Sequence, residues 1–215
     1  GSNTIEINSF SESSTGCNVY PVAGSFVDIF TISTLPNVSG VNTLTVTEPL
    51  CLGSLATVTY ATSLANGTYN INYNLTGSNV SSGIANGVIV SSGTATFTIP
   101  SAALTNAGST TISISTVTNA TSLCSSTVSA GTIADSFTIG TLPNVSGVNN
   151  LTVTEPLCLG SSANVSFTTS LANGTYNINY NLTGSNVSSG IANGVVVSSG
   201  TATFTIPSAA LTNAG

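Results

Sequence analysis

Residues 66–88 read NGTYNINYNLTGSNVSSGIANGV, and residues 173–195 repeat the same 23 letters. Inside the stretch Tyr69, Ile71, Tyr73 and Leu75 alternate with Asn70, Asn72 and Asn74. A strand sends successive side chains to opposite faces, so this period of two predicts a half-buried β-strand with its aromatic and aliphatic residues turned inward. Asn66-Gly67 before it, Gly77-Ser78-Asn79 after it and Asn86-Gly87 beyond are turn-forming clusters that bound such a strand.

The same alternation appears on both sides. ATVTYATS, GVIVSSG, TATFTIP, TTISIST and DSFTIG are short β-rich runs separated by Gly, Asn or Pro. Helical periodicity is absent apart from a turn at 101–104. Strands A (TLTVTE), B (LATVTYATS), C (TYNINYNLTG), the next strand (IANGVIVSS), E (TATFTIP), F (STTISISTVTN) and G (TIADSFTI) follow in order. Seven short strands in regular succession, each closed by a turn signal, predict an all-β, antiparallel β-sandwich of the immunoglobulin-like kind.

The repetition runs the length of the chain at a constant offset of 107 in numbering: Cys17 maps to Cys124, Asp28 to Asp135, Cys51 to Cys158 and Pro100 to Pro207. From Leu35 to Ala107 there are seven differences over 73 positions, among them Thr43/Asn150, Tyr60/Phe167 and Ile89/Val196, whereas residues 1–34 diverge more. Gly1, Gly108 and Gly215 are equivalent positions, so the opening Gly-Ser reads as native. With LPNVSG (35–40 and 142–147) as the linker, the expected organisation is tandem. Residues 1–35 are strands F and G of one repeat, 36–142 a complete repeat, and 143–215 strands A to E of the next. Neither flanking piece is expected to close a core alone, so the segment reads as a window on a longer array.

Composition excludes several classes. The chain has no Lys, Arg or His and six carboxylates, for a net charge of −6. Nucleic acid is excluded as a partner, because phosphate binding displaces counterions with cationic side chains. Acid–base and nucleophilic catalysis lack a base or an activating partner, so no enzyme is expected. Glu6, Glu12, Asp28, Glu48, Asp135 and Glu155 are scattered. That disfavours a paired-carboxylate glycosidase and a calcium loop, and no metal or cofactor is expected. Glu48 and Asp28 could approach each other at a repeat junction, with solvated charge as the plainer expectation. Apolar runs stop after four or five residues, so membrane insertion is not expected. Trypsin-type cleavage sites are missing. That suits a chain exposed to extracellular proteases, and compositional drift in a duplicated array explains it equally well.

Cys17, Cys51, Cys124 and Cys158 are spaced 34, 73 and 34 apart, without a CxxC pair. Zinc and thioredoxin-type chemistry are disfavoured and disulfides favoured. Cys51 precedes strand B and Cys124 follows strand F, at opposite ends of the expected sandwich. A bond between successive domains, with some or all partners outside the segment, is therefore preferred; intradomain pairing and buried free thiols remain open. Sequons at Asn37, Asn66, Asn74, Asn79 and Asn119 arise readily in so Asn- and Thr-rich a chain. The outward Asn70, Asn72 and Asn74 ladder could meet sugar hydroxyls or simply face solvent.

PLCLGSLATVTYATSLANGTYNINYNLTG, followed by GTATFTIPSAALTNAGSTTISISTVTNATSLC and ADSFTI, resembles the tandem immunoglobulin-like repeats of giant surface adhesins from gliding and biofilm-forming Bacteroidota. The resemblance covers the whole chain. It implies a secreted cell-surface filament, exported by the type IX system, with adhesive and sorting domains elsewhere. The expected function is a structural stalk whose partners are neighbouring repeats, laterally or end to end. The alternatives are a carbohydrate-binding module and a self-assembling subunit completed by donated strands.

Overall fold

The computed structural model describes residues 1–40, 42–147 and 150–215 and is all-β. The chain divides into two units, Gly1–Thr141 and Leu142–Gly215.

The first unit opens with β1 (Ser2–Glu6), β2 (Phe10–Ser11), β3 (Asn18–Val19) and β4 (Val27–Thr31). β1 pairs antiparallel with β4, and β2 with β3. Every residue of these strands is exposed, including Ile5, Phe10, Ile29 and Phe30. A strand pair with apolar side chains in water on both faces has not buried the surface that normally holds strands together.

The rest of the unit is two facing sheets. One is built from β5 (Thr43–Val46), β7 (Ala56–Ala61) and β10 (Thr94–Ile99), with β7 between the other two. The second contains β6 (Leu50–Cys51), β8 (Gly67–Gly77), β9 (Ser81–Val90), β11 (Gly108–Asn119), β12 (Ser125–Thr127) and β13 (Ala134–Gly140). Its order is β6-β13-β11-β8-β9, and β12 pairs with β11. All pairs are antiparallel except β6 with β13. The chain changes sheet between β5 and β6, through a cis Glu48–Pro49 peptide. A single 3-10 turn covers Ser101–Ala103.

The alternation read in the sequence is the alternation of burial. Tyr69, Ile71, Tyr73 and Leu75 on β8, Phe97 and Ile99 on β10, and Ile112 and Ile114 on β11 are all buried in one continuous core. The Tyr73 and Phe97 rings stack with centroids 6.0 Å apart and so join the two sheets. Gly83 stands opposite Tyr73 on β9, and a Cβ there would collide with the Tyr73 ring, which accounts for a glycine inside a strand. The asparagine face is less open than expected, since Asn74 is exposed while Asn70 and Asn72 are half-buried.

Burial raises the Tyr60 phenol above its usual range, with a hydrogen bond from Thr62 pulling weakly the other way, and burial also raises Tyr73. Their stabilisation is complete below the unfolded value near 10. Above it the unfolded chain loses its phenolic protons first, so stability falls as pH rises towards the folded values. Thermal melts at rising pH should show this decline setting in above about 10, the unfolded value. It should be shallower in Tyr60→Phe, a side chain already present at the matching Phe167.

The second unit holds β14 (Asn150–Val153), β15 (Ala163–Thr168), β16 (Gly174–Leu182), β17 (Ser188–Val197) and β18 (Thr201–Ile206). They form a three-stranded sheet, β14-β15-β18, and a hairpin, β16-β17. The Tyr180 and Phe204 rings stack 5.6 Å apart. Its buried residues fall into two small clusters, around Val165 and around Val195. Leu151 is 63% exposed where the matching Leu44 is 6% exposed, and Val153 is 40% exposed against 5% for Val46.

Pairing registers recur 107 positions apart. Ser2↔Thr31 and Ile5↔Asp28 in β1/β4 correspond to Ser109↔Thr138 and Ile112↔Asp135 in β11/β13. Leu44↔Tyr60 corresponds to Leu151↔Phe167, and Val58↔Phe97 to Val165↔Phe204. β8/β9 and β16/β17 share one register and the same irregularity, between Tyr69 and Ile71 and between Tyr176 and Ile178.

Candidate functional site: the two ends of the closed sandwich

Three groups of side chains gather towards the ends of the closed sandwich, where the chain enters and leaves it. The first is the linker. Leu35 to Gly40 is not free of the sandwich it precedes: Pro36 is buried, Val38 packs on the core, and the Pro36 carbonyl accepts from Ser126 Oγ at 2.6 Å. The pyrrolidine ring of Pro36 also locks that residue's own φ dihedral. The linker is therefore held by a fixed dihedral and by contacts with β12 and the core.

The second group is acidic. Asp135 on β13 accepts a hydrogen bond from the Val46 backbone N–H at 2.7 Å, so a side chain of one sheet satisfies an edge strand of the other. Glu48 accepts from the Thr138 N–H at 2.6 Å. These two carboxylates thus clip β5 and its exit to β13. Asp135 is half-buried and Glu48 exposed, and each takes a backbone donor distant in sequence. Asp28 Oδ1 instead accepts from the Ile29 N–H beside it. Charge-assisted bonds to backbone donors are stronger than neutral ones. Asp135→Ala, which leaves the part-buried Val46 N–H without its acceptor, should lower stability by about 1–3 kcal/mol. Glu48→Ala, at an exposed position, should cost less. Chemical denaturation of the two variants checks the order.

The third group is the cysteines. Cys17, Cys51 and Cys158 are exposed and Cys124 is half-buried; all four are free thiols in this chain. Cys51 lies on β6 opposite Gly140, the last residue of β13. Cys124 lies in the turn after β11, where its carbonyl accepts from the Asn119 N–H at 2.9 Å. Gly108, at the start of β11, is opposite Ile139. Cys51 and Cys124 therefore stand at opposite ends of the 12-residue β11, roughly 35 Å apart at about 3.3 Å per residue. A disulfide spans Cα atoms no more than about 7 Å apart.

The asparagines divide by use. Asn70 Oδ1 accepts from the Gly87 N–H at 2.9 Å beside the irregularity in β8/β9, and Asn177 does the same for Gly194. Asn79 is 2% exposed, bonded to Asn106 and Thr110, so its sequon is closed in the folded chain. The Asn119 side chain caps the turn that carries Cys124, through Thr121 and Ser122. In the sequence Asn79 and Asn70 look like ordinary solvated residues, because nothing local announces their distant backbone partners.

No family model matches the chain, and no curated protein matches it either. Among the described residues no group of three or more His, Cys, Asp or Glu side chains could hold a metal ion, and no helix is long and apolar enough to cross a membrane. A largely apolar cleft of about 500 Å³ belongs to the second unit and is lined by Leu151, Val153, Phe167, Tyr180, Leu182 and Phe204, among others. Their counterparts in the closed sandwich, such as Leu44, Tyr73 and Leu75, are buried in a core that also contains Ile112 and Ile114 of β11 and Phe137 and Ile139 of β13.

Proposed function

We propose that the chain is a stretch of non-enzymatic structural stalk. In this view tandem immunoglobulin-like sandwiches, recurring at an offset of 107 in numbering, hold an adhesive element away from the cell in a repetitive extracellular surface adhesin. The observation that carries this is the recurrence of strand registers at that displacement, in β1/β4, where residues 1–34 diverge more from their counterparts, as well as in β14 to β18. A docked linker with a buried proline is what a stalk needs, since each junction must transmit direction as well as connection. Near-identical copies also argue for length rather than for separately tuned binding sites. The resemblance to Bacteroidota gliding adhesins supplies the cellular setting, with type IX export as its route.

Immunogold labelling of intact cells with an antibody against an exposed loop tests the proposal. Surface label whose distance from the envelope shrinks when repeats are deleted in frame supports the stalk. Label confined to the cell interior, or reach unchanged by repeat number, sinks it.

A second reading is favoured by one observation. Residues 1–34 present a strand pair in the β11/β13 register with exposed apolar side chains, and the second unit presents the cleft that such a pair would cover. The chain could then be a filament subunit whose first strands complete the second unit of another copy. Concentration-dependent linear polymerisation of the 215-residue chain would support it, and a monomer at all concentrations would remove it.

A further inference from the structure

We propose that each junction between successive repeats carries one disulfide, joining the cysteine on the β6 strand of one repeat to the cysteine in the turn after the β11 strand of the next. This rests on the tandem stalk reading. It assigns Cys124 to the preceding repeat's copy of Cys51, and Cys51 to the following repeat's copy of Cys124. No two of Cys17, Cys51, Cys124 and Cys158 are then partners, which accounts for four cysteines, three of them exposed, in a chain without an internal bridge.

Two placements carry the assignment. Cys51 and Cys124 occupy opposite ends of one sandwich, too far apart to bond. Cys124 also reaches back to the segment between β4 and the linker, where its Sγ lies 3.9 Å from the Ser33 carbonyl oxygen. Ser33 precedes Gly140 by one period, and Gly140 is the residue alongside Cys51: the two pair in the parallel β6/β13 ladder, and the Gly140 carbonyl accepts from the Leu52 N–H at 2.9 Å. Applied to the preceding repeat, that pairing sets its copy of Cys51 beside Ser33, one interstrand spacing of about 4.8 Å away. The Cys124 sulfur touches the carbonyl of that same residue. Ser126 bonded to Pro36 and the Asn119 cap on the turn hold the thiol in this place.

Bond formation needs an oxidant, which a small-molecule disulfide supplies by exchange. One thiolate attacks the oxidant to give a mixed disulfide and release one small thiol. The second cysteine then displaces the other small thiol and closes the bridge. Two protein thiols become one disulfide, and the oxidant's S–S bond is reduced to two thiols.

The test is the chain extended beyond Gly215 by the sequence of residues 109–142, which supplies a copy of Cys124 to the repeat that contains Cys158. The protein is oxidised with glutathione disulfide, cut at carboxylates and aromatic residues, because it offers trypsin no site, and mapped by mass spectrometry. One bridge is expected, between Cys51 and the added copy of Cys124, with Cys17, Cys124 and Cys158 found only as thiols or glutathione adducts. Cys51→Ser should abolish it, and the unextended chain should form no internal bridge. A Cys51–Cys124 bridge, or adducts at every cysteine, overturns the assignment. Hydrogen exchange on the same sample separates the causes. If Leu151 and Val153 become protected and no junction bridge forms, the disulfide alone is wrong; if they stay unprotected, the tandem reading fails and the disulfide with it.

Discussion

Replacing Ile71 by alanine should destabilise the closed sandwich by about 2–5 kcal/mol, the cost of emptying a fully packed aliphatic site. The same replacement at Ile178 should cost well under half of that. The two isoleucines sit in identical 23-residue stretches and at the same register, yet Ile71 is fully buried and Ile178 only half-buried. The difference comes from β11, which pairs along β8, and from β13 beyond it, neither of which has a counterpart against β16 among the described residues. Local sequence cannot account for it, because the local sequence is the same. Hydrogen exchange resolved by peptide reads each unit separately, with the β8 amides losing protection in Ile71→Ala and the β16 amides changing little in Ile178→Ala.

Supplying the absent strands should have an even larger effect. Extension past Gly215 with the sequence of residues 109–142 offers β16 an edge partner and offers Leu151, Val153, Tyr180 and Phe204 a covering layer. Leu151 and Val153 should approach the burial of Leu44 and Val46, at 6% and 5% exposed. The second unit, now held by two small clusters, should acquire a single cooperative unfolding transition worth on the order of 5 kcal/mol or more, as ordinary domains have. Calorimetry would show two comparable transitions in place of one dominant transition. If the extended chain gains no transition, the added residues do not pack as β11 and β13 do.

The strands were legible in the sequence because period two and turn chemistry are local signals. β8, β10 and β11 carry the expected residues inward, and the turn at Ser101–Ala103 also lies where it was expected. What the sequence did not show is what depends on chain segments far apart. Asp135 and Val46 are 89 residues apart, and neither hints at the other. The two-residue β6 is too short to carry a periodic pattern, and its pairing with β13 is what places Cys51. Asn79 reads in the sequence as part of a turn-forming cluster, and its burial follows from a bond network with Asn106 and Thr110 that closes only in the folded sandwich. The opposite placement of Cys51 and Cys124 was foreseeable from strand order, whereas the approach of Cys124 to Ser33 needed three-dimensional geometry.

Electron microscopy of arrays with increasing repeat number tests the stalk most directly. Each sandwich is about as long as its 12-residue β11, so contour length should grow linearly by roughly 35–40 Å per repeat. The arrays should appear as rods with a preferred angle at each Leu35–Gly40 type junction. Linear growth with a narrow distribution of junction angles is the predicted result. Compact particles, or flexible strings whose end-to-end distance grows only as the square root of repeat number, would contradict it.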